Sequence, residues 1–490
     1  MTIIPAPNRR LGAFVVGAGV VTTVLAVLAW HGIGTLQRLE HYFYRLGDRR
    51  LMDMAVILAA GVAWPCAIRL AVRGSARHGW LATGGLVLVG FLWQHALALA
   101  EKRGIDGMRD QLLRSGHNEF ARTVTVRRLR PMRLIANYER FVGASEQEFA
   151  RSKPPGNLLV FWAGARVAQV LMPHVWDPAM PADSALVANS YHWRLVNFAT
   201  LFFPLLSCSV LVPLVWLGRQ LLGAKHGLWP ALLYLLVPSV ALVPLHLDQV
   251  LYPALACGLW SLAFAAVRAR GRVALSLGLA AGAVAWLSVF VSFSLLPALP
   301  LALAFAVAAF RMDRRGGWPA LTGPLGAAAS AFFGLSLLFW TALGYDPLER
   351  FARAMANHAG WKAWDESFRL AAALTNLAEF GYWLGVPLTL LLALGILSAL
   401  RRPAASDVDG SWQRLVSIGT CVVLLATALF GRTLSEVNRL WIFFIPAVVT
   451  IAAQALRRLA GSRSEPAIAA VASLQIGWTI VLKCFAGFPP

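Results

Sequence analysis

The sequence predicts an all-α, polytopic membrane protein, and three observations lead there. Hydrophobic residues make up 58% of the 490-residue chain and charged residues only 14%, against about 25% charged in a typical soluble domain. Apolar runs recur along its whole length, and many exceed the ~18 residues that mark a spanning helix. The runs are apolar all round rather than along one stripe, and a single water-soluble core has no use for so many helices of that kind.

The runs fall near 11–30, 51–72, 79–100, 156–175, 191–217, 227–245, 249–267, 273–292, 295–310, 318–344, 381–400, 415–430, 440–456 and 466–482. No internal repeat stands out. The expected organisation is three N-terminal spans in 1–100, then a polar stretch with juxtamembrane helices in 101–190. A transmembrane core in 191–344, a second polar stretch in 345–380 and C-terminal spans in 381–490 follow. Arg9 and Arg10 precede the first run like the charged start of a signal peptide. The run continues to about Trp30 with no convincing cleavage site, so it reads as a retained first span.

The net charge is +21, from 44 Lys and Arg against 23 Asp and Glu. In a soluble protein this would suggest nucleic acid. Here the basic residues gather in short loops, as the positive-inside bias requires, and no nucleic-acid partner is expected. Arg219 and Lys225, then Arg268, Arg270 and Arg272, then Arg311, Arg314 and Arg315, then Arg401, Arg402 and Arg414, then Arg457, Arg458 and Arg463 occupy alternate loops. That asymmetry puts this set in the cytoplasm and places the turn at His246 and Asp248, the 345–380 stretch and the 431–439 loop outside. The five cysteines (Cys66, Cys208, Cys257, Cys421 and Cys484) match no zinc or redox spacing. The Ala- and Arg-rich composition suggests a bacterial inner-membrane protein.

The segment 156–175 decides where the 101–155 stretch lies. If it spans, that stretch is cytoplasmic; if it lies along the surface, the stretch is outside. Arg166 and Gln169 sit mid-segment on one face, and a central Arg costs a span ~2.5–3.5 kcal/mol on insertion scales. Pro154, Pro155 and Gly156 also break the chain just before it. Both features favour a surface helix and about thirteen spans.

Several polar residues are not explained by crossing a membrane. The 101–155 stretch holds twelve Lys or Arg and seven Asp or Glu, interleaved with Phe120, Tyr138, Phe141 and Phe149. Aromatic rings favour the headgroup layer, so this stretch is expected to pack on the membrane surface. Within it, His117-Asn118-Glu119 offers a carboxylate that can act as general base toward a hydroxyl; most such acids are simply solvated. Lys153-Pro154-Pro155-Gly156 is more specific. The prolines fix the backbone, the next helix start favours an anion, and a Lys there can meet a phosphate as a point charge. An ordinary capped helix start is the plainer account. Asp248, in Pro244–Gln249, occupies a very short turn between spans, where a charge needs a reason or merely forms the turn. Arg432, Glu436 and Arg439 form a third cluster. Glu436 and Arg439 make an ion pair if helical, or Arg439 holds a lipid phosphate. In the 345–380 stretch, His358 is a candidate metal ligand or acceptor contact among Asn357, Trp361, Trp364, Asp365, Glu366 and Glu379.

In order and spacing these elements resemble the C-type (GT-C) superfamily of membrane glycosyltransferases. That superfamily includes lipid A aminoarabinose transferases, protein O-mannosyltransferases and bacterial family 39-type enzymes. The resemblance runs over roughly residues 100–450. It is carried by Glu119, then Lys153-Pro154-Pro155, then Arg219 and Lys225, then Asp248, then Arg439-Leu440-Trp441 with Pro446. It implies a polyprenyl-phosphate-sugar donor and a lipid, glycan or protein acceptor on the periplasmic face. The helix after Pro-Pro is then juxtamembrane. Glu119 would be the base, Lys153 and Arg439 would bind the donor phosphate, and Asp248 would orient the acceptor or base, or bind a divalent metal with His246. His117, His246, His358 and Glu436 are the further acceptor or metal candidates. The chain departs from the family in having His117-Asn118-Glu119 where relatives have Asp before Glu. Its acidic loop also follows the third apolar segment rather than the first. The main alternative is a multi-span transporter or flippase for a lipid-linked saccharide. A non-catalytic membrane scaffold is another.

Overall fold

The computed structural model describes residues 9–31, 53–73, 79–114, 116, 118–126, 129–143, 148–172, 190–242, 247–313, 317–361, 366–401, 408–430 and 436–485. Every regular element among them is helical. Among the described residues eleven helices are long and apolar enough to cross a membrane, or twelve if the bent pair Leu370–Leu384 and Val386–Leu400 counts as one span. The chain is an all-α, multi-pass membrane protein.

The count falls short of the thirteen expected because the run at 227–245 is not one long helix. It forms two short ones, Trp229–Leu235 and Pro238–Leu242. Pro238 has no N–H to donate and disfavours helical backbone at Val237. The chain tightens there, with Leu236 N–H bonding Leu233 O and Val237 N–H bonding Tyr234 O, both at 3.2 Å. Carbonyls freed near the break find side chains from other helices. Thr479 Oγ1 donates to Leu236 O and Gln94 Nε2 to Val240 O, each at 3.2 Å. With no water to bond them, such groups must be satisfied internally.

The helices gather into two compact units. One comprises Met1–Lys102, Leu211–Val243 and Leu370–Pro489. Its centre is the Ile445–Ala460 helix, buried continuously from Ile445 to Leu456. Val386–Leu400, Val408–Phe430 and Trp229–Leu235 pack around it. Beyond Leu99 a buried ion pair joins Glu101 to Lys483 of the Ser464–Phe485 helix.

The same unit holds the bent pair, whose arms meet at 116°. The bend is at Gly385, which has φ +95°, a conformation that L side chains rarely adopt. Gln475 Nε2 donates to Leu384 O at 2.6 Å, and Thr389 Oγ1 donates to Gly381 O at 2.8 Å. A Cβ at Gly385 would lie 2.1 Å from Gln475 Nε2.

The second unit comprises Arg103–Val210 and Pro244–Arg369. Its spans Leu247–Arg268, Gly271–Val291, Ala298–Met312 and Pro319–Leu343 pack on one another, and Trp260 Nε1 donates to Ala298 O at 2.9 Å. Short polar helices from the 101–155 stretch cover one end of this group.

Gly385→Ala is expected to destabilise the first unit by at least the ~1–3 kcal/mol of a strained backbone position. Thermal unfolding of the purified protein in detergent checks this; an unchanged melting temperature would show that the bend tolerates a side chain.

Candidate functional site

The 101–155 stretch is not an open loop. It folds into Gly104–Arg114, Asn118–Val126, Pro131–Ala136, Tyr138–Gly143 and Glu148–Arg151, followed by Pro155–Leu171. One face of each is apolar and packs inward. Phe120, Tyr138, Val142, Leu158, Phe161, Leu195, Phe198 and Val250 belong to one buried cluster. Pro155–Leu171 falls short of the length of a span and is not among the candidate spans. On its exposed side Arg166 donates to Gln169 at 3.0 Å and lies over the Trp162 ring.

The four-residue helix Glu148–Arg151 is the node of the site. The Glu119 carboxylate accepts the N–H of Ala150 at 3.1 Å through Oε1 and that of Phe149 at 3.3 Å through Oε2. An anionic side chain suits these otherwise unbonded N–H groups at a helix start. From the other side, the Tyr138 hydroxyl donates to the carbonyls of Ala150 and Lys153, both at 3.1 Å. Glu119 and the Lys153 backbone, distant in sequence, are thus held on the same short segment. Gly156 continues the element against the end of Gly271–Val291; a Cβ there would lie 2.2 Å from the Phe290 carbonyl oxygen.

Arg350 clamps this assembly. It lies on Pro347–Trp361, a helix started by Asp346, whose carboxylate accepts the N–H of Leu348 at 2.8 Å and of Glu349 at 3.2 Å. The Arg350 side chain is 2% exposed. Its Nη1 reaches both Glu139 oxygens at 3.1 Å, its Nη2 donates to the Arg151 carbonyl, and its guanidinium stands 5.7 Å from the Tyr138 ring centre. Arg353, more exposed, also bonds Glu139 at 3.3 Å and pairs with Glu349. The hydrogen bond to Glu349, then the charges of Glu139 and Glu349, raise the Arg353 pKa further. Burial pushes the Tyr138 phenol far above its usual range, with Arg350 opposing and Tyr345, Glu139 and Glu119 reinforcing. Burial does the same to Tyr345. Both phenols therefore remain protonated donors at ordinary pH.

These contacts put the described parts of the 101–155 and 345–361 stretches at one end of the second unit's helices. Ile135, Phe290 and Tyr345 share an apolar cluster with Leu343, at the C-terminal ends of Gly271–Val291 and Pro319–Leu343.

Asp248 lies at the start of Leu247–Arg268. A short turn joins that helix to Gly271–Val291, so its start lies at the same end as Phe290, and Val250 packs in the cluster that holds Phe120. His358 is half-buried on Pro347–Trp361, eight residues and two turns beyond Arg350 on the same face. His117 and His246 lie outside the described residues, as does Arg432. Among the described residues no group of three or more His, Cys, Asp and Glu side chains could hold a metal ion.

Arg439 and Glu436 belong to the other unit. Arg439 Nη2 pairs with Glu436 Oε1 at 3.1 Å, the i, i+3 ion pair that the spacing allows. Glu379, expected in the second polar stretch, is instead fully buried on the Glu366–Leu384 helix of that unit. Sequence reasoning passed over Glu139, Arg350 and Arg353 and treated Tyr138 only as a surface aromatic. Nothing local marks Arg350, whose partners lie about two hundred residues away. The chain matches no protein-family model, and no curated protein matches it.

Arg350→Ala is expected to cost about 2–3 kcal/mol, below the ~3–5 of breaking a fully buried pair, because Glu139 is partly exposed. Arg350→Lys should recover little of this, since one ammonium cannot reproduce the two-pronged contact. Thermal unfolding and protease cleavage within 129–153 are the measurements; wild-type resistance in Arg350→Ala would remove the clamp.

Proposed function

We propose that the protein is a membrane glycosyltransferase of the GT-C type. It moves a sugar from a polyprenyl-phosphate donor to a hydroxyl of a lipid, glycan or protein acceptor, at the periplasmic face of a bacterial inner membrane. The observation that carries this reading is the meeting of Glu119 and the Lys153-Pro154-Pro155 element on Glu148–Arg151, braced by Tyr138 and Arg350. The start of the Asp248 helix lies at the same end of the unit. A carboxylate, a cation beside a helix start and a second acid at one membrane face is the equipment that such a transfer uses.

In the proposed reaction the acceptor hydroxyl gives its proton to Glu119 as its oxygen attacks the anomeric carbon. The bond from that carbon to the phosphate oxygen breaks in the same displacement, inverting the centre, and polyprenyl phosphate leaves. Lys153 balances the charge that grows on the phosphate. Asp248 orients the acceptor or the base, or holds a divalent cation with His246; His117 and His358 are acceptor contacts. Arg439, the other phosphate-binding candidate of the resemblance, is paired with Glu436 in the first unit and takes no part in this step. The bonds from Phe149 and Ala150 fix the direction of the Glu119 carboxylate, and each oxygen keeps a lone pair beyond them.

A transporter of a lipid-linked saccharide is the second reading. The 116° break at Gly385 favours it, because interrupted helices are where transporters bind their cargo.

Glu119→Gln separates catalysis from structure. The carboxamide keeps an acceptor oxygen for the helix start, so folding should survive, while glycosyl transfer from a polyprenyl-phosphate donor in detergent should fall at least ~10²-fold, as loss of a general base does. Transfer at the wild-type rate would reduce Glu119 to a capping role. If wild-type protein catalyses no transfer yet moves a lipid-linked saccharide across vesicles, the transporter reading replaces this one. Cysteines introduced at exposed sites such as Arg133 and Arg140 should react with an impermeant maleimide from the periplasm; cytoplasmic labelling would overturn the topology.

A further inference from the structure

The second unit carries arginines at both ends of its spans. Arg268, Arg270 and Arg272 stand at one end, around the turn from Leu247–Arg268 into Gly271–Val291, and Arg311 lies in the last turn of Ala298–Met312. The positive-inside bias accounts for one end of such a unit and does not call for arginines at the other. Yet the segment 129–143, packed at the opposite end, bears Arg130, Arg133 and Arg140, all exposed.

The two short helices of this segment run on from each other. Leu134 N–H bonds Arg130 O at 2.9 Å, Asn137 N–H bonds Arg133 O at 3.1 Å, and Phe141 N–H bonds Asn137 O at 2.9 Å. Helical spacing then puts Arg130, Arg133, Asn137 and Arg140 on one side. Leu134, Ile135, Tyr138 and Val142 are buried on the other. The segment's one acid, Glu139, is committed to Arg350 and Arg353. Among the described residues the three arginine side chains meet no partner, and like charges at this spacing repel. Met132, 60% exposed, and Ala136 form an apolar strip beside them.

Depth selects the partner. Ile135 packs in the cluster of Phe290 and Tyr345 at the span ends. The headgroup layer beyond the hydrocarbon core of a bilayer is about 5–8 Å deep on each side, and a helix with its side chains is about 10 Å across. A segment resting on the span ends therefore lies in that layer, at the level of the lipid phosphates. Basic residues beside an exposed apolar strip are the pattern of a helix lying in the bilayer surface, and a guanidinium meets a phosphate with two parallel hydrogen bonds.

We propose that Arg130, Arg133 and Arg140 form a binding face for the phosphates of anionic phospholipids in the adjoining leaflet, which holds the 129–143 segment to the bilayer surface. Such binding goes beyond glycosyl transfer and does not depend on it.

Trypsin cleavage of the full-length protein tests it, in nanodiscs of phosphatidylcholine with and without phosphatidylglycerol. Cleavage after Arg140 is measured relative to cleavage after Arg270, at the other end of the unit, so that lipid charge acting on the protease cancels. Phosphatidylglycerol is expected to slow the Arg140 cut, and high salt to restore it. Arg130→Gln and Arg133→Gln replace exposed side chains and should fold. Each should weaken the protection about fivefold, the factor that one basic residue near an anionic surface contributes. Equal relative rates in the two lipids overturn the proposal, as does protection of unchanged size in both variants. Equal protection by soluble glycerol phosphate in phosphatidylcholine discs also overturns it, assigning the face to a free phosphate ligand. No transfer is measured, so a negative result here leaves glycosyl transfer standing.

Discussion

In the apolar interior of a membrane every backbone N–H and C=O must be bonded by the protein itself, and this requirement organises the whole molecule. It leaves helices as the described elements, and it makes each interruption a place where side chains must step in. At Val237 the freed carbonyls are taken by Gln94 and Thr479, from helices far away in sequence. At Gly385 the Leu384 carbonyl is taken by Gln475, and Thr389 adds a second bond to the Gly381 carbonyl. The breaks are therefore fixed joints, each tied to a particular neighbour. In lipid, where apolar burial gives helices little reason to choose one partner over another, such bonds also specify which helices meet.

The second unit applies the same accounting to a polar stretch at the membrane face. Its short helices are too brief to be stable alone, so packing and charge hold them. The four N–H groups at the start of Glu148–Arg151 need acceptors, and Glu119 supplies two. The carbonyls of Ala150, Arg151 and Lys153 need donors, and Tyr138 and Arg350 supply them. Arg350 can be buried because Glu139 meets it with both oxygens. The proposed catalytic groups thus sit on a segment whose geometry is set by a charge network assembled from two separate stretches of chain. Preorganisation of this kind lets a carboxylate and a cation act on a developing charge without first moving.

Hydropathy alone determined that the chain is a helical, multi-pass membrane protein, because the cost of leaving backbone groups unbonded in lipid depends on composition over some eighteen residues and on nothing distant. It also located Pro155–Leu171 as an unusual helix, since Arg166 and the Pro-Pro step are local features. The motif reading picked out Glu119, Lys153 and Asp248 as residues whose charge needed a reason. The tertiary structure decided the rest. Whether a run of apolar residues forms one helix or two, as at Pro238, depends on whether neighbours can satisfy the freed carbonyls. Whether Glu379 is solvated or buried depends on what packs on Phe380. Arg350 has no local mark at all, because the pairing energy of a buried charge comes from partners such as Glu139, which only the folded chain brings within reach.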